Sequence, residues 1–153
     1  MAGRRVYASA PKPGVTKALK WATIAEGVDL LDAPGVLPMR IDDQVSATRL
    51  AMVNDIGEAS YVAYLVAAAL AARLRCLPQY ECSIRPAMCA RWGIPDEELD
   101  ELTCEDVVGK VAARLFQHDE EKAAQRMLKD FRTLALGPVA LELPPGDFAY
   151  NYH

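Results

Sequence analysis

The sequence is poor in the residues that build metal centres and covalent staples. It has four cysteines, Cys76, Cys82, Cys89 and Cys104, and two histidines, His118 and His153. No two cysteines form a C-x-x-C pair, and both histidines lie outside the cysteine-bearing stretch. A zinc site needs closer ligand pairs, so the thiols are expected to be reduced and mostly buried, in a reducing compartment. Long apolar runs are also missing. The longest uncharged run, "ASYVAYLVAAALAA" from Ala59 to Ala72, has fourteen residues, against roughly twenty needed to span a bilayer. It predicts a buried helix. The basic start "MAGRRVYASAPKPG" has no apolar core behind it and is not a secretory signal. It also lacks the long Ser- and Arg-rich amphipathic character of a complete transit peptide. Charge of one sign is not in excess: the net charge is -4, which excludes a global attraction to nucleic acid or anionic membranes. Contacts of that kind fall to a local basic patch. No internal repeat is present.

What remains is ordinary globular material. The chain has 153 residues, 52% hydrophobic and 25% charged, enough for one domain or two small ones with a core. Its character changes near residue 43. Before that point lie short strand signals and Pro/Gly turns. "ALKWATI" (Ala18 to Ile24) and "VDLLD" (Val28 to Asp32) are joined by Ala25-Glu26-Gly27, a hairpin connection in which Gly27 supplies a positive φ. Upstream, "SAPKPGVTK" is a loop, because two prolines and a glycine block both helix and ladder.

After residue 43 the period is helical. "DQVSATRLAMV" predicts a helix from Asp43, and "EASYVAYLVAAALAARL" a long Ala-rich one ending before Pro78. "SIRPAMCARW" predicts a short helix stopped by Gly93 and Pro95. "TCEDVVGKVAARLF" opens on a capping box of Thr103 and Asp106, with an apolar stripe of Val107, Val108, Val111, Ala112, Leu115 and Phe116. "DEEKAAQRMLKDFRTLAL" has Asp119 as N-cap and acids in its first turn. Its stripe is Ala123, Ala124, Met127, Leu128, Phe131 and Leu134. The Pro/Gly-rich tail is expected to be loose after Leu143.

Two short motifs carry chemistry. Mg2+ takes hard oxygen ligands and accepts few from protein. A Thr on a loop can offer its hydroxyl, and an Asp at a strand end can hold the ion. A Gly just past that strand lets its N–H approach a γ-phosphate. "PGVT", ending at Thr16, and "DAPG", starting at Asp32, lie sixteen residues apart with two predicted strands between them. That is the spacing of switch I and switch II around an antiparallel pair. Taken alone, Asp-Ala-Pro-Gly more often describes a plain turn, in which the Asp caps the loop and Pro-Gly sets the dihedrals.

The wider pattern "PGVTKALKWATIAEGVDLLDAPGVLPMRIDDQVSATRLAMVNDI" resembles the circularly permuted GTPases of ribosome assembly. These are the YlqF/RbgA type, and the pattern is most similar to their plant and algal organellar DAR relatives. Shared features are P-G-V-T, a Trp on the next strand, L-L-D-x-P-G, and a D-Q segment leading into an apolar helix. "AAQRMLKDFRTLALGPVALELPP" resembles the family's closing D-F-R-x-G-x-x-G-x-x-x-L-E segment. The resemblance covers nearly the whole chain and is weakest between Cys76 and Leu102. It implies an α+β fold class: a partial P-loop GTPase segment, the β-hairpin with switch I and switch II, followed by an all-α C-terminal domain. Residues 1–56 would be the remnant of the GTPase domain and 57–153 the helical ribosome- or RNA-binding domain with a loose tail.

In that family the guanine-recognition motifs and P-loop precede the switches, so they are expected upstream of Met1. None is found within the chain. No N-K-x-D or T-K-x-D exists, and "VSATR" at Val45 to Arg49 continues as helix. "VGKV" at Val108 to Val111 imitates the end of a P-loop, but Cys104 occupies the first glycine position and no Ser or Thr follows Lys110. The resemblance implies that Thr16 and Asp32 ligand Mg2+ and that Gly35 contacts the γ-phosphate of GTP in the full-length protein. Val36 stands where many GTPases place a water-orienting glutamine; the family is likewise apolar there. Ala33 replaces the commoner Thr. Lacking the P-loop, which does most of the phosphate binding, this chain alone is expected to be inactive.

The helical half carries Lys122, Arg126 and Lys129 at i, i+4, i+7, a basic stripe that Arg132 extends. The resemblance implies contact with ribosomal RNA in the large subunit. The alternative is a solvated face balanced by Glu120, Glu121 and Asp130. The acidic stretch "DEELDEL", Asp96 to Leu102, is expected to face solvent or a basic ribosomal protein. Phe131 and Trp21 are assigned to core packing. Leu134, where the family has glycine, is expected to lengthen the last helix. The resemblance places the protein in the chloroplast, or alternatively the mitochondrion. The rival reading is a stand-alone, non-enzymatic helical adaptor that binds RNA, ribosomes or another protein.

Overall fold

The computed structural model describes residues 19–32, 41–78 and 80–142. The chain divides into two compact units, Met1–Ser60 and Tyr61–His153. Among the described residues there are one antiparallel hairpin and six α-helices, an α+β chain that is mostly helical.

The first unit holds β1 (Lys20–Ala25), β2 (Val28–Asp32) and α1 (Gln44–Val53). Gly27 turns the hairpin at φ +71, the left-handed region that glycine enters without a steric cost. The register pairs Trp21 with Leu31 and Ala22 with Leu30, and slips between Thr23 and Ala25. Thr23 donates to Asp29 across the strands at 2.6 Å. Pairs of this type are the unit of sheet stability, but two strands alone are marginal. Ala22 is buried, but the hairpin's large apolar side chains are left uncovered. Trp21 is 71% exposed, Leu19 65% and Ile24 60%. The core role expected of Trp21 is thereby corrected. α1 starts at Asp43, whose carboxylate accepts from the N–H groups of Val45 and Ser46, and ends at Asn54 in the left-handed region.

Among the described residues, the regular elements of the second unit are all helical. α2 spans Ala63–Arg75, α3 Arg85–Trp92, α4 Asp96–Leu99, α5 Cys104–Leu115 and α6 Glu120–Arg132. The core is where α2, α5 and α6 pack pairwise. Ala67 and Ala71 of α2 are fully buried beside Leu70 and Leu74, and these small side chains allow close helix approach. α5 contributes Val107, Val108, Val111 and Ala112; α6 contributes Ala123, Ala124, Met127, Leu128 and Phe131. Each large apolar side chain buried this way contributes on the order of 1.5–3 kcal/mol. The predicted capping box forms: Thr103 Oγ1 accepts from Asp106 N–H, and Asp106 accepts from Thr103 N–H, both at 3.1 Å.

Several expectations change. α2 starts later than its composition implies. Glu58–Ser60 form a separate 3-10 turn, and Val62, extended at ψ 116, is the N-cap. α3 is preceded by a π-helical turn over Tyr80–Ile84. α6 stops at Arg132, and Leu134 adopts φ +59. The helix is thus not lengthened by Leu134, which takes the conformation a glycine would favour and stands 61% exposed. Leu115 is also exposed, because α5 ends there. The cysteines are not mostly buried: Cys76 and Cys82 are exposed, Cys89 and Cys104 intermediate, and all four are free thiols.

Candidate functional site

The residues expected to form the switches are placed only in part. Asp32 is the last residue of β2, its backbone opposite Lys20. Thr16 and Gly35 lie outside the described residues. Among the described residues no group of three or more His, Cys, Asp or Glu side chains could hold a metal ion. No helix among them is long and apolar enough to cross a membrane.

The basic stripe is fully described. α6 buries Ala123, Ala124, Met127, Leu128 and Phe131. With 3.6 residues per turn, Lys122, Arg126 and Lys129 share the opposite face. Lys122 pairs with the N-cap Asp119 at 2.7 Å. Lys129 is exposed and makes no ion pair among the described residues. Arg132 is half-buried and donates to the Tyr61 hydroxyl at 2.9 Å, which places its guanidinium against the start of the unit.

Arg126 is held differently. Its Nε donates to both oxygens of Asp130, at 2.9 and 3.0 Å. Asp130 is the buried charged residue of this core, 2% exposed. Its Oδ1 also accepts from Arg91 Nη2 of α3 at 2.7 Å. A carboxylate buried to that extent needs such partners. The guanidinium of Arg91 is stabilised in its charged form chiefly by the hydrogen bond to Asp130. Two arginines from different helices therefore converge on one oxygen. Sequence reading found Arg126 but not Arg91, which lies thirty-nine residues from Asp130 and outside any periodic pattern.

The acidic stretch is engaged within the unit. Arg85 bonds Asp96 at 2.6 Å and Asp100 at 2.7 Å, and its guanidinium lies over the Tyr80 ring at 5.9 Å. Glu98 accepts from Lys110 at 2.8 Å and pairs with Arg114. Glu81, Arg85, Pro86, Cys89, Asp96 and Asp100 line an open cleft of about 650 Å³. Burial pushes the Cys89 and Cys104 thiols above their usual range, with Asp96 adding to the effect at Cys89. This is the opposite of what a nucleophilic thiolate needs. The hydrogen bond from Arg85 holds Asp96 below the usual carboxylate range, and that from Lys110 does the same for Glu98.

The helical unit thus displays a cationic face on α6 anchored on a buried acid, and an acidic stretch in which Asp96, Glu98 and Asp100 are paired with cations of the same unit. No protein-family model matches the chain. Its relatives are informative. The chain is similar to proteins named Ribosome biogenesis GTPase A. The protein of that name from Bacillus licheniformis is 25% identical over 147 residues, 94% of this chain and 50% of the relative. The Bacillus cereus protein is 26% identical over 147 residues, 94% of this chain and 48% of the relative. The Thermotoga maritima protein is 33% identical over a shorter stretch of 54 residues. The chain thus spans about half the length of the Bacillus relatives it matches.

Proposed function

We propose that the chain is the C-terminal part of a GTP-binding ribosome biogenesis GTPase that acts on the large subunit. The observation that carries this reading is similarity over 94% of the chain to relatives named Ribosome biogenesis GTPase A. "PGVT" and "DAPG" add to it in their order and spacing. In this reading residues 1–56 belong to the GTPase domain and 57–153 form the ribosome-facing helical domain. The full-length protein is circularly permuted, with its guanine motifs and P-loop ahead of the switches. Thr16 and Asp32 hold Mg2+, and Gly35 meets the γ-phosphate of GTP. GTP state orders the switches and tunes affinity for the maturing subunit, as in other γ-phosphate-dependent switches. The organelle of residence is the chloroplast or the mitochondrion.

The uncovered hairpin fits this reading. Strands apolar on both faces belong inside a larger sheet, and Trp21, Leu30 and Leu31 are apolar and exposed. The chain by itself neither binds GTP tightly nor hydrolyses it. The deciding measurement is the mass of the native species, detected with an antibody to the C-terminal helices. A species about twice the mass of this chain or larger supports the GTPase reading. A species at 16.7 kDa replaces it with a non-enzymatic helical adaptor.

A further inference from the structure

We propose that Arg91 and Arg126, fixed by Asp130, form a clamp for a backbone phosphate of RNA. The proposal rests on the ribosomal reading above and names the chemistry of its contact surface. Arg91 Nη2 and Arg126 Nε bond the same carboxylate oxygen at 2.7 and 2.9 Å. Those nitrogens therefore lie within about 6 Å of one another, a distance set by two ordinary hydrogen bonds to one acceptor. Each guanidinium has five N–H donors. Arg126 commits its Nε–H to Asp130, and Arg91 commits Nη2, so both keep further donors. Their side chains are 38% and 41% exposed, while that of Asp130 is 3% exposed. Buried acid thus orients two half-exposed guanidiniums that would otherwise repel. Pre-oriented forks of this kind match phosphate oxygens, with charge-assisted bonds stronger than neutral ones.

The local charge supports an anionic occupant. Two arginines against one aspartate leave a net positive charge. Lys122 and Lys129 stand one turn away on either side of Arg126, and Lys129 adds a further exposed cation. Asp130 here is a positioning residue: it holds the donors and does not touch the ligand.

The test uses the full chain, purified large ribosomal subunits and a short labelled RNA duplex titrated over a salt series. Arg91→Lys with Arg126→Lys keeps every charge but removes the forks. The clamp requires a loss of about tenfold in RNA affinity, reflecting lost bidentate bonds, with an unchanged salt slope. Arg91→Gln lowers both affinity and slope, the slope by roughly one phosphate contact. Lys110→Gln, on α5 and paired with Glu98, is the control for simple charge loss and leaves affinity nearly unchanged. Asp130→Asn gives a second, independent reading. Counting charges predicts tighter binding when an acid is removed; the clamp predicts weaker binding. If that variant does not fold, the lysine pair still decides. Equal RNA affinity for the lysine pair and the wild type overturns the clamp and leaves the ribosomal reading intact. Binding to subunits without binding to RNA assigns this face to a protein partner and also overturns the clamp. Failure of the wild type to bind either overturns both.

Discussion

Arg132 donates to the hydroxyl of Tyr61 at 2.9 Å, joining the last residue of α6 to the segment just before α2. The two residues are seventy-one positions apart, so the bond ties the last helix of the unit back to its first residue. A hydrogen bond from a charged donor in a half-buried site is worth about 1–2 kcal/mol. Tyr61→Phe is expected to lower the unfolding free energy by that amount, as measured by urea denaturation. An unchanged midpoint would show that the bond contributes nothing in solution.

Leu134 offers a change in the other direction. A side chain at φ +59 costs roughly 1 kcal/mol that glycine avoids, less glycine's greater unfolded-state entropy. Leu134 is 61% exposed, so little apolar burial is forfeited. Leu134→Gly should stabilise the chain by about 0.5 kcal/mol, and Leu134→Val should destabilise it, since β-branched residues tolerate positive φ poorly. Thermal melts of the two variants should separate in opposite directions from the parent.

Acid should loosen the second unit. The carboxyls of Asp96, Glu98, Asp106 and Asp119 are all held low, first by side-chain bonds from Arg85, Lys110, Thr103 and Lys122 respectively. A group depressed in the folded state adds stability above its unfolded pKa and loses it as pH falls through its folded value. The loss therefore begins near the ordinary carboxylate range, about pH 4.5, and deepens below it. Melting temperature followed from neutral pH downward should be flat and then fall. Arg85→Gln should flatten part of that fall, and salt should do likewise, because these pairs are largely exposed.

The hairpin should drive association. Trp21 and Leu31 are cross-strand partners and both are exposed, and uncovered strand surface is a template for pairing between chains. Replacing Trp21 and Leu31 with lysine should reduce the sedimentation-average mass of the chain. A parent chain that is already monodisperse as a monomer would contradict this.

The parts legible in the sequence are those governed by local rules. Gly27, the Thr103–Asp106 box, Asp119 and the stripes of α5 and α6 each depend on residues within a turn or two. Where the outcome depended on distant partners, the sequence was silent. Nothing near Arg85 marks it as the counterion of Asp96 and Asp100, and Arg91 finds Asp130 only once α3 lies against α6. The four-residue α4 is too short for a period to reveal. Alanine-rich composition put the start of α2 too early, because helix propensity carries no information about the extended Val62. The residue type of Trp21 predicts burial, and type does not say whether a covering element is present. Thr16 and Gly35 lie outside the described residues, so the expected switches rest on the motifs "PGVT" and "DAPG" alone.

The chain has two tryptophans, one in each unit, and they sit at opposite extremes of exposure: Trp21 stands in solvent and Trp92 is fully enclosed. The protein therefore contains two optical probes without any labelling. Emission from Trp92 should be blue-shifted and shielded from iodide, and that from Trp21 red-shifted and readily quenched. Docking of the hairpin against anything, whether another strand or a ribosome, would be seen as loss of the quenchable fraction alone. Melting of the helical unit would be seen in the shielded fraction, so a single cuvette can follow the two events separately.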